Sequence, residues 1–376
     1  MSPRAAALRG RLKPRPCRDD QTSGTPVSGA LGRSMNSNLL STLNPSRQRV
    51  VLLGAAGYVG SVLTQRLVES GRSVAVLDRL DFGLGPLAGV LDKPNFELVR
   101  GDFRDRELVR RTVSGADAVV HLGAIVGDAA CALDEPETVA VNYDAAVQVA
   151  DSCRRLGVPR LLFASTCSVY GAADHIVDET SALHPVSLYA RTKIDAENRL
   201  LEMRDDRFHP VILRLGTAFG WSPRPRFDLV VNLLTAKAHF EGRAVIFNGD
   251  QWRPFVHVRD IARSFEVAID APAASISGEV YNVGANRMNR RLSDLGRVLQ
   301  KRFPDARVLE QSTPDRRDYR VDFSKIESRL GFRSRTSLTA GIDEMRRALE
   351  GGTVKDYRFE VYHNHLAVPA SARAAS

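Results

Sequence analysis

A tyrosine and a lysine four residues apart are the side chains in this sequence best suited to proton transfer. Tyr189 and Lys193 lie in a segment with helical periodicity, so both side chains are expected on one helix face. A phenol beside an ammonium can exchange a proton with a substrate hydroxyl. A surface Tyr and a surface Lys would show the same spacing, so the pair alone leaves both interpretations open.

A turn rich in hydroxyl groups precedes this pair. Residues 165–168 read Ser-Thr-Cys-Ser and directly follow the strand-like run Arg160–Ala164. Ligands of open parallel sheets bind outside the carboxyl ends of the strands. The hydroxyl groups of this turn, Tyr189 and Lys193 are therefore expected to face one cleft.

Three glycines spaced three apart join an apolar run to an amphipathic segment. Gly54, Gly57 and Gly60 lie between Val50–Leu53 and the helical periodicity of Tyr58–Glu69. Such a turn lets the backbone approach a pyrophosphate and directs a helix N-terminus at its charge. The spacing departs from the usual G-x-G-x-x-G fingerprint, and ordinary turns also contain such glycines. The triplet predicts a dinucleotide site only together with its context.

An acidic residue supplies that context. Asp78 ends the next strand-like run, eighteen residues after Gly60, where a carboxylate can accept hydrogen bonds from both hydroxyls of an adenosine ribose. Its charge would repel the 2′-phosphate of NADP, so Asp78 favours NAD, although Arg79 weakens the discrimination. The alternative is a solvated residue at a strand end. Asp102 follows the third run and is expected to bind the adenine amino group, to cap the helix that starts near Arg106, or both.

Short β-branched runs alternate with helical periodicity from Arg49 onwards, a pattern typical of βαβ units and a parallel sheet. We therefore predict an α/β fold, namely a Rossmann-like doubly wound parallel sheet with a smaller C-terminal α/β substrate lobe. The six predicted strands are Val50–Leu53, Ser73–Asp78, Phe96–Arg100, Ala118–Leu122, Arg160–Ala164 and Val211–Leu215, and the clearest predicted helices are Tyr58–Glu69 and Glu137–Leu156.

Changes in composition predict the organisation of the chain. The predicted regions are a disordered basic leader (1–48), an NAD-binding Rossmann domain (49–214, with 244–283 returning to it), a substrate-binding lobe (215–243 and 284–352) and a C-terminal tail (353–376).

Most of the net charge of +9 lies in the predicted leader. Residues 1–48 contain eight basic and two acidic residues, a net charge of +6, which leaves the remainder near neutral. A nearly neutral body argues against nucleic acid as a partner. The composition of the leader fits a transit peptide, a start at Met35 or a plain disordered extension.

Other classes of protein and site are disfavoured by what the sequence contains. No run approaches the roughly 18 apolar residues that would suggest a membrane span. The four cysteines show neither paired metal spacing nor a disulfide framework. We therefore expect no membrane partner, no metal and a cytoplasmic location.

Together these motifs resemble those of the extended short-chain dehydrogenase/reductase family, which includes NAD-dependent nucleotide-sugar epimerases and dehydratases. The resemblance continues in Asn248–Asp260, similar to the stretch that holds the substrate diphosphate in nucleotide-sugar epimerases, and in Tyr281–Gly284. It spans roughly Arg49 to Phe332.

The resemblance implies a role for each matching residue. Tyr189 would act as the base on a sugar hydroxyl, and Thr166 would share the proton. Lys193 and the positively charged nicotinamide would together lower the pKa of Tyr189, and Lys193 would also bind the nicotinamide ribose. The residues implied for binding NAD are Gly54, Gly57, Tyr58, Val59, Gly60, Asp78, Asp102, Phe103, Leu122, Ala124, Tyr189 and Lys193. Those implied for binding a nucleotide-diphosphate sugar are Thr166, Thr217, Arg253 and Arg316, the arginines as a clamp on the diphosphate.

Three residues of reactive type receive no chemical role. His121 and His257 each lie in an apolar strand-like run, where a hydrogen-bonded structural histidine is expected. Cys167 lies in the hydroxyl-rich turn, but relatives that use a cysteine there carry it at the position occupied here by Ser168.

The resemblance favours epimerisation at C4. Nucleotide-sugar 4,6-dehydratases carry acidic residues directly after the threonine, where this chain has Cys167 and Ser168, so elimination of water lacks its usual acid and base. Thr217 stands where 4-epimerases usually have an asparagine, so a sugar and base other than those of UDP-galactose are open. The alternatives are a nucleotide-sugar ketoreductase or dehydratase and a catalytically silent NAD-binding regulatory protein.

The resemblance also implies a partner, a second copy of the chain. In this family the helices corresponding to 137–156 and 188–203 often form a four-helix interface, so we expect a homodimer.

Overall fold

The computed structural model describes residues 48–314 and 318–365. In chain order the strands are β1 (Arg49–Leu53), β2 (Ser73–Asp78), β3 (Phe96–Arg100), β4 (Ala118–His121), β5 (Arg160–Thr166), β6 (Ile176–Val177), β7 (His209–Leu215), β8 (Thr217–Phe219), β9 (Arg243–Phe247), β10 (Trp252–His257), β11 (Val280–Val283), β12 (Asn289–Arg291), β13 (Arg307–Gln311) and β14 (Arg320–Val321). The helices are α1 (Tyr58–Glu69), α2 (Arg106–Val113), α3 (Asp128–Cys131), α4 (Glu135–Val139), α5 (Ala145–Arg155), α6 (Leu188–Glu202), α7 (Val230–Glu241), α8 (Val258–Asp270), α9 (Ala273–Ile276), α10 (Leu292–Arg302), α11 (Ser324–Leu330) and α12 (Leu338–Glu350).

Seven parallel strands form the main sheet in the order β11-β7-β5-β4-β1-β2-β3. The chain builds outwards from β1 to β3 and then returns to place β4 on the other side of β1. Loops that follow β1 and β4 therefore diverge at one edge, where doubly wound sheets bind their ligands. The predicted α/β doubly wound fold is confirmed.

The sheet is buried on both faces, as parallel sheets require. Val50 and Leu52 of β1 belong to a core shared with α1 and α8, whereas Val51 and Leu53 belong to a core on the other face shared with α2, α5 and α6. The alternation follows from the two-residue side-chain period of a strand. It explains why the strand runs are apolar throughout rather than alternating with polar residues.

The second lobe is built on short sheets that lie outside the main sheet. β10 pairs with β8 and β12, and β9 pairs with β13. Within 244–283, β9 and β10 have their hydrogen-bonding partners in these short sheets, whereas β11 pairs with β7, and α8 and α9 pack in the core of the main sheet. The predicted domain boundaries stay a prediction.

The predicted helix over 137–156 is interrupted. Residues 140–144 form a π-helical turn between α4 and α5. The wider turn accompanies Asn142, whose buried side chain accepts a hydrogen bond from Ile125 N (2.8 Å) and donates one to Ile125 O (3.0 Å). Asn142 thereby fixes the loop after β4. Helical periodicity cannot reveal such a turn, because one extra residue barely alters the pattern.

The predicted leader lies outside the described residues apart from Gln48. The predicted tail is described as far as His365, and its first residues pack against the second lobe, where Val354 and Tyr357 join a buried cluster with Phe227 and Met345. Within residues 48–314 and 318–365, no helix has the length and apolarity needed to cross a bilayer. The same residues contain no cluster of three side chains suited to holding a metal ion.

Candidate active site

Thr166, Tyr189 and Lys193 meet at the carboxyl edge of the main sheet. Thr166 is the last residue of β5, and the other two lie one turn apart on α6. The side chain of Ser187 caps α6 by accepting a hydrogen bond from Ala190 N, which fixes where the helix begins. The Thr166 hydroxyl donates to Ser168 Oγ at 3.1 Å and also acts to lower the pKa of the Tyr189 phenol.

The Lys193 ammonium is buried one helical turn after the phenol. Its residue is only 2% exposed, its Nζ donates to Ala164 O at 3.0 Å, and the same atom lies 4.5 Å from the centre of the Phe163 ring. Burial lowers the pKa of Lys193 to about 8, although the charge of Glu197 opposes this effect. A lysine with such a pKa can gain and lose a proton near neutral pH.

The pKa of Tyr189 is raised in the protein without its cofactor. Burial raises the pKa of the phenol, and Arg226 and Thr166 lower it only in part. The protein alone therefore keeps the phenol protonated at neutral pH. The predicted lowering, by Lys193 together with the positively charged nicotinamide, stays a prediction.

A buried ion pair anchors α6 to β7. Arg214 donates to Glu197 through Nη2 (2.6 Å) and Nε (3.0 Å), Ser165 Oγ also donates to Glu197, and Arg214 Nη1 donates to the Tyr170 hydroxyl at 3.0 Å. Removing one partner would leave an uncompensated buried charge, which typically costs about 3–5 kcal/mol. The pair therefore holds α6, and with it Tyr189, against the sheet edge.

The glycine turn is shaped by contacts within the protein. Gly54 has a φ of +76°, and a Cβ there would lie 2.3 Å from Gly123 Cα, so the backbones after β1 and β4 touch. A Cβ on Gly60 would lie 2.4 Å from Ala55 Cα. A side chain on Gly54 would force the loops after β1 and β4 apart, and one on Gly60 would force α1 away from the turn that precedes it, so both positions need glycine.

The start of α1 offers an uncompensated positive end. Gly57 caps the helix without a side-chain hydrogen bond, and the first turn contains no acidic residue. The free N–H groups and the helix dipole favour an anion here. Gly57, Tyr58, Val59 and Gly60 line the cavity, so this end fits the pyrophosphate of a dinucleotide. The Tyr58 hydroxyl itself is committed to Gly220 O at 2.7 Å.

Asp78 lies where a ribose-binding acid is expected. Its carboxylate accepts hydrogen bonds from Ala56 N (2.8 Å) and Leu80 N (2.7 Å), burial raises its pKa, and it lines the cavity beside the glycine turn. Arg79 is engaged by two neighbouring carboxylates, at 2.6 and 3.5 Å. Because these carboxylates already neutralise the charge of Arg79, Arg79 does little to attract the 2′-phosphate of NADP. The negative charge of Asp78 therefore still favours a ribose without a 2′-phosphate.

Asp102 does not cap α2, so that alternative is wrong. The cap is Asp105, which directly precedes the helix and accepts hydrogen bonds from Glu107 N and Leu108 N. Burial alone would raise the pKa of Asp102, but hydrogen bonds from the backbone and guanidinium of Arg104 outweigh it and lower the pKa. Asp102 is therefore a carboxylate that lines the cavity, as cofactor binding requires.

One cavity of about 1070 Å³ contains the predicted site. Its size allows a dinucleotide and a second ligand side by side. The predicted residues that line it are Gly54, Gly57, Tyr58, Val59, Gly60, Asp78, Asp102, Phe103, Leu122, Ala124, Thr166, Tyr189, Lys193, Thr217 and Arg253. Arg316 lies outside the described residues.

The two predicted substrate residues from the second lobe stand on its sheet. Thr217 begins β8, and Arg253 lies on β10, one strand away. Arg253 is 8% exposed and donates to Trp252 O at 2.9 Å and to Gln251 Oε1 at 3.0 Å. These bonds hold the guanidinium in a fixed orientation at the cavity wall.

A buried arginine in the cavity wall was missed by the sequence reasoning. Arg224 is 3% exposed, lies 3.7 Å from the centre of the Phe82 ring, and its Nε and Nη2 have no hydrogen-bond partner among the described residues. Burial lowers its pKa to about 9. A buried cation without a carboxylate needs an anion from elsewhere. The sequence feature that could have identified Arg224 is its position between two prolines, shortly after β8, the strand that begins with the predicted substrate residue Thr217.

The three reactive side chains without a predicted role have structural surroundings. His257 Nε2 lies 2.7 Å from Glu344 Oε2, as expected of a hydrogen-bonded histidine. His121 departs from that expectation, because neither ring nitrogen has a partner among the described residues and burial lowers its pKa to about 3. Cys167 is buried, donates to Arg214 O, and has a raised pKa because of its burial.

Comparison with known proteins agrees with this geometry. Residues 50–284 match the model of the NAD dependent epimerase/dehydratase family. A dTDP-glucose 4,6-dehydratase of Actinoplanes sp. is 30% identical over 316 residues, which cover 79% of this chain and 96% of the relative. A UDP-glucose epimerase of Bacillus subtilis, YtcB, described as uncharacterized, is 27% identical, with 78% of this chain and 95% of the relative covered.

A solved structure with both ligands is also similar. MoeE5 in complex with UDP-glucose and NAD is 27% identical, superimposes with a TM-score of 0.70, and covers 81% of this chain and 100% of its own.

We expect Lys193→Met to stabilise the cofactor-free protein at pH 7. The pKa of Lys193 falls from its ordinary 10.5 to about 8 in the folded chain, so the unfolded chain binds this proton more tightly. The cost of folding is complete below about pH 8 and disappears as the pH rises past 10.5. The gain in free energy of unfolding is on the order of 2–3 kcal/mol at pH 7 and smaller at pH 10, measured by urea unfolding.

The matched control for this substitution is Lys355→Met, since Lys355 is exposed. It is expected to change the free energy of unfolding by less than about 0.5 kcal/mol at either pH. Loss of stability in Lys193→Met at pH 7 would mean that the buried ammonium is favourably solvated by its partners.

Proposed function

Because this chain belongs to the NAD dependent epimerase/dehydratase family, we propose that it is a nucleotide-sugar epimerase that acts at C4. The chain is an NAD-dependent enzyme of a family whose members act on nucleotide sugars. One observation carries the proposal: Thr166, Tyr189 and Lys193 converge at the cavity, while positions 167 and 168 offer a buried thiol and a hydroxyl instead of carboxylates.

The proposed chemistry needs one proton carrier. NAD, held by the glycine turn, Asp78 and Lys193, would supply the reversible acceptance of a hydride from the sugar carbon. Tyr189 takes the proton of the adjacent sugar hydroxyl and later gives it back. Thr166, which acts to lower the pKa of the phenol, is proposed to share this proton. Lys193 holds a positive charge beside the site below pH 8. That charge favours the phenolate once the ammonium turns from Ala164 towards the cavity.

Fixed cations are proposed to hold the anionic parts of the ligands. The positive start of α1 and the guanidinium of Arg224 both line the cavity, and Ser222 connects them, because its hydroxyl accepts from Arg224 N (3.2 Å) and donates to Tyr58 O (2.7 Å). Arg253, held by Trp252 and Gln251, is proposed to clamp the sugar-nucleotide diphosphate together with Arg316. Thr217 completes the substrate side. Asp78 and Asp102 serve the adenosine part of NAD.

Dehydration is the second candidate, and one observation favours it. Asp128 lines the cavity, and its charge raises the pKa of Tyr189, so a carboxylate does lie near the phenol. Asp128 belongs to the segment after β4, whereas 167 and 168 are the positions where 4,6-dehydratases carry their acidic residues. Elimination of water by this enzyme would therefore need Asp128 as its acid or base.

A panel of nucleotide sugars separates these reactions. We expect UDP-glucose, UDP-glucuronic acid or dTDP-glucose, incubated with the NAD-loaded enzyme, to give a mixture of C4 isomers with unchanged mass and no lasting NADH absorbance. Chromatography with mass detection measures the isomer ratio. Loss of one water from the product would identify a dehydratase, and stoichiometric consumption of NADH with a keto-sugar would identify a ketoreductase.

Tyr189→Phe is expected to reduce kcat by roughly 10²–10⁴-fold, because it removes the proton-transfer group and keeps the ring. The KM for the nucleotide sugar should change little. Tyr143→Phe is the control, since Tyr143 is a half-buried phenol outside the cavity. If Tyr189→Phe keeps turnover within a few-fold of the parent enzyme, another residue is the base. If the parent enzyme itself shows no turnover, the chain is a silent NAD-binding protein.

We also propose that the enzyme is a homodimer assembled through the face formed by the π-helical turn, α5 and α6. Leu133 is 64% exposed and Val139 is 36% exposed, and both lie next to this face. Burial of these exposed apolar side chains against a second chain would be favourable. Gel filtration at micromolar concentration is expected to give the mass of two chains, and a single-chain mass would exclude this assembly.

A further inference from the structure

One lysine in the cavity wall takes no part in the proposed proton transfer. Lys237 lies in the second half of α7, is half-buried and lines the cavity. Its ammonium has no ion-pair or hydrogen-bond partner among residues 48–314 and 318–365. The ammonium is not one of the buried polar atoms, so a ligand in the cavity can reach it. Lys237 is therefore available to bind an acceptor group of a ligand.

One face of α7 lines the cavity. Its residues are Val230, Leu233, Leu234 and Lys237, spaced three and four apart as neighbours on a helix surface are. The two flanking faces of α7 are buried, one in a cluster with β9 and α10 and the other in the cluster around Phe227. Lys237 is therefore directed into the cavity, about 10 Å along the helix axis from Val230.

The start of α7 lies on the side of the cavity where proton transfer is proposed. Arg226 and Asp228, which precede the helix, form an ion pair at 2.8 Å. The charge of Arg226 reaches the Tyr189 phenol and acts to lower its pKa. Lys237 lies more than two turns further along the helix. A single ligand that reaches both the phenol and Lys237 must therefore be extended, as a nucleotide sugar is.

The wall beside Lys237 is the edge of β9. Lys237 O accepts a hydrogen bond from Gly242 N in the turn that leads into this strand. Val245, Ile246 and Phe247 all line the cavity, although successive side chains of a strand point to opposite faces. Consecutive residues can share one wall only if the strand presents its edge there. Because β13 covers the opposite edge, backbone N–H and C=O groups of β9 face the cavity.

This part of the cavity suits a flat ring with a polar edge. The Phe247 ring is 47% exposed in the cavity wall and offers a stacking surface. The edge of β9 offers hydrogen bonds to the rim of a ring that stacks there. Stacking on an aromatic side chain accepts every nucleobase, since every base has a flat face. Discrimination between bases must therefore come from polar groups at the rim of the ring.

The loop after β9 leads to the proposed diphosphate clamp. Asn248 and Gln251 line the cavity, and Gln251 accepts a hydrogen bond from Arg253 at 3.0 Å. A nucleotide sugar that is held by Arg253 at its diphosphate and by Tyr189 at its sugar therefore extends its base towards β9 and Lys237.

An ammonium distinguishes nucleobases by their acceptors. Lys237 has three N–H donors and no acceptor. Uracil and thymine carry a carbonyl oxygen at C4 of the base, across the ring from the bond to ribose, so this O4 atom lies furthest from the diphosphate. Cytosine carries an amino group at the same position, and its N–H groups cannot accept a hydrogen bond from an ammonium. Lys237, the cavity residue of α7 furthest from the helix start, matches O4 in position and in chemistry.

We propose that Lys237 is a substrate-binding residue that donates a hydrogen bond to O4 of a uracil or thymine base and thereby excludes cytidine nucleotides. This inference rests on the proposed function, because it assumes a nucleotide sugar held by Arg253 and Tyr189. The Phe247 ring stacks on the base, and Lys237 contacts the outer rim of the base. The second lobe then selects the nucleotide, while the residues at the end of β5 and on α6 carry out the chemistry on the sugar.

Binding measurements on the NAD-loaded full chain test this inference. We expect the parent chain to bind UDP and dTDP about tenfold more tightly than CDP. Lys237→Met keeps most of the side chain and removes the ammonium, so it is expected to weaken UDP binding about tenfold, as loss of a hydrogen bond from a charged group implies. The affinity for CDP should change less than about threefold, because CDP makes no such bond. Isothermal titration measures the affinities.

The matched control is Lys301→Met, because Lys301 is an exposed lysine of the same lobe and lies outside the cavity. It removes the same charge, but the distant charge is screened by salt, so UDP and CDP affinities should change less than about twofold. Thermal unfolding verifies that both variants keep the Tm of the parent chain.

Three results would overturn the inference and leave the proposed function intact. Equal losses of UDP and CDP affinity in Lys237→Met would make Lys237 a general cation for the diphosphate. An unchanged UDP affinity would remove Lys237 from the site. A parent chain that binds CDP or GDP as tightly as UDP would contradict the selection of the base without the use of any variant. A parent chain that binds no nucleoside diphosphate at all would instead overturn the proposed function.

Discussion

The site depends on a lysine held inside the protein beside the phenol that is proposed to carry the proton. Lys193 is confined by the Ala164 carbonyl, the Phe163 ring and the charge of Glu197, and Glu197 is in turn fixed by Arg214. A buried ammonium tolerates only a few arrangements of its neighbours. These contacts fix the position of α6 relative to β5 and β7. They also fix the position of Tyr189, because Tyr189 lies one turn from Lys193 on the same helix.

The topology of the sheet supplies the other half of the site. Because the strand order reverses at β1 and β4, their loops separate and leave a cleft, and the contact between Gly54 and Gly123 brings the two backbones together at its floor. The start of α1 then directs its free N–H groups into the cleft. The same cavity is lined at the end of β5 by Thr166 and Ser168 of the hydroxyl-rich turn and by Tyr189 and Lys193 of α6.

Much of this arrangement could be predicted from the sequence, because its determinants are local. The glycine turn, the acid at the end of β2 and the Tyr–Lys spacing each follow from a single element, and parallel topology brings strand ends together. What could not be predicted depends on contacts between distant segments. The π-helical turn depends on hydrogen bonds between the Asn142 side chain and the backbone of Ile125, seventeen residues earlier in the chain. The cap of α2 falls to Asp105 and not Asp102, a difference of less than one turn.

Two residues that the sequence reasoning missed lie close together in the second lobe. Arg224 lies in the loop before α7, and Asn364 follows Tyr362, whose carbonyl accepts a hydrogen bond from Phe227 N in the same loop. Both side chains carry buried polar atoms without a partner among the described residues. At the end of β5, in contrast, the Thr166 hydroxyl and the Lys193 ammonium are hydrogen-bonded within the protein. Such bonds keep the geometry that proton transfer needs, so the lobe, whose loops can vary without disturbing the buried lysine, is proposed to determine the choice of substrate.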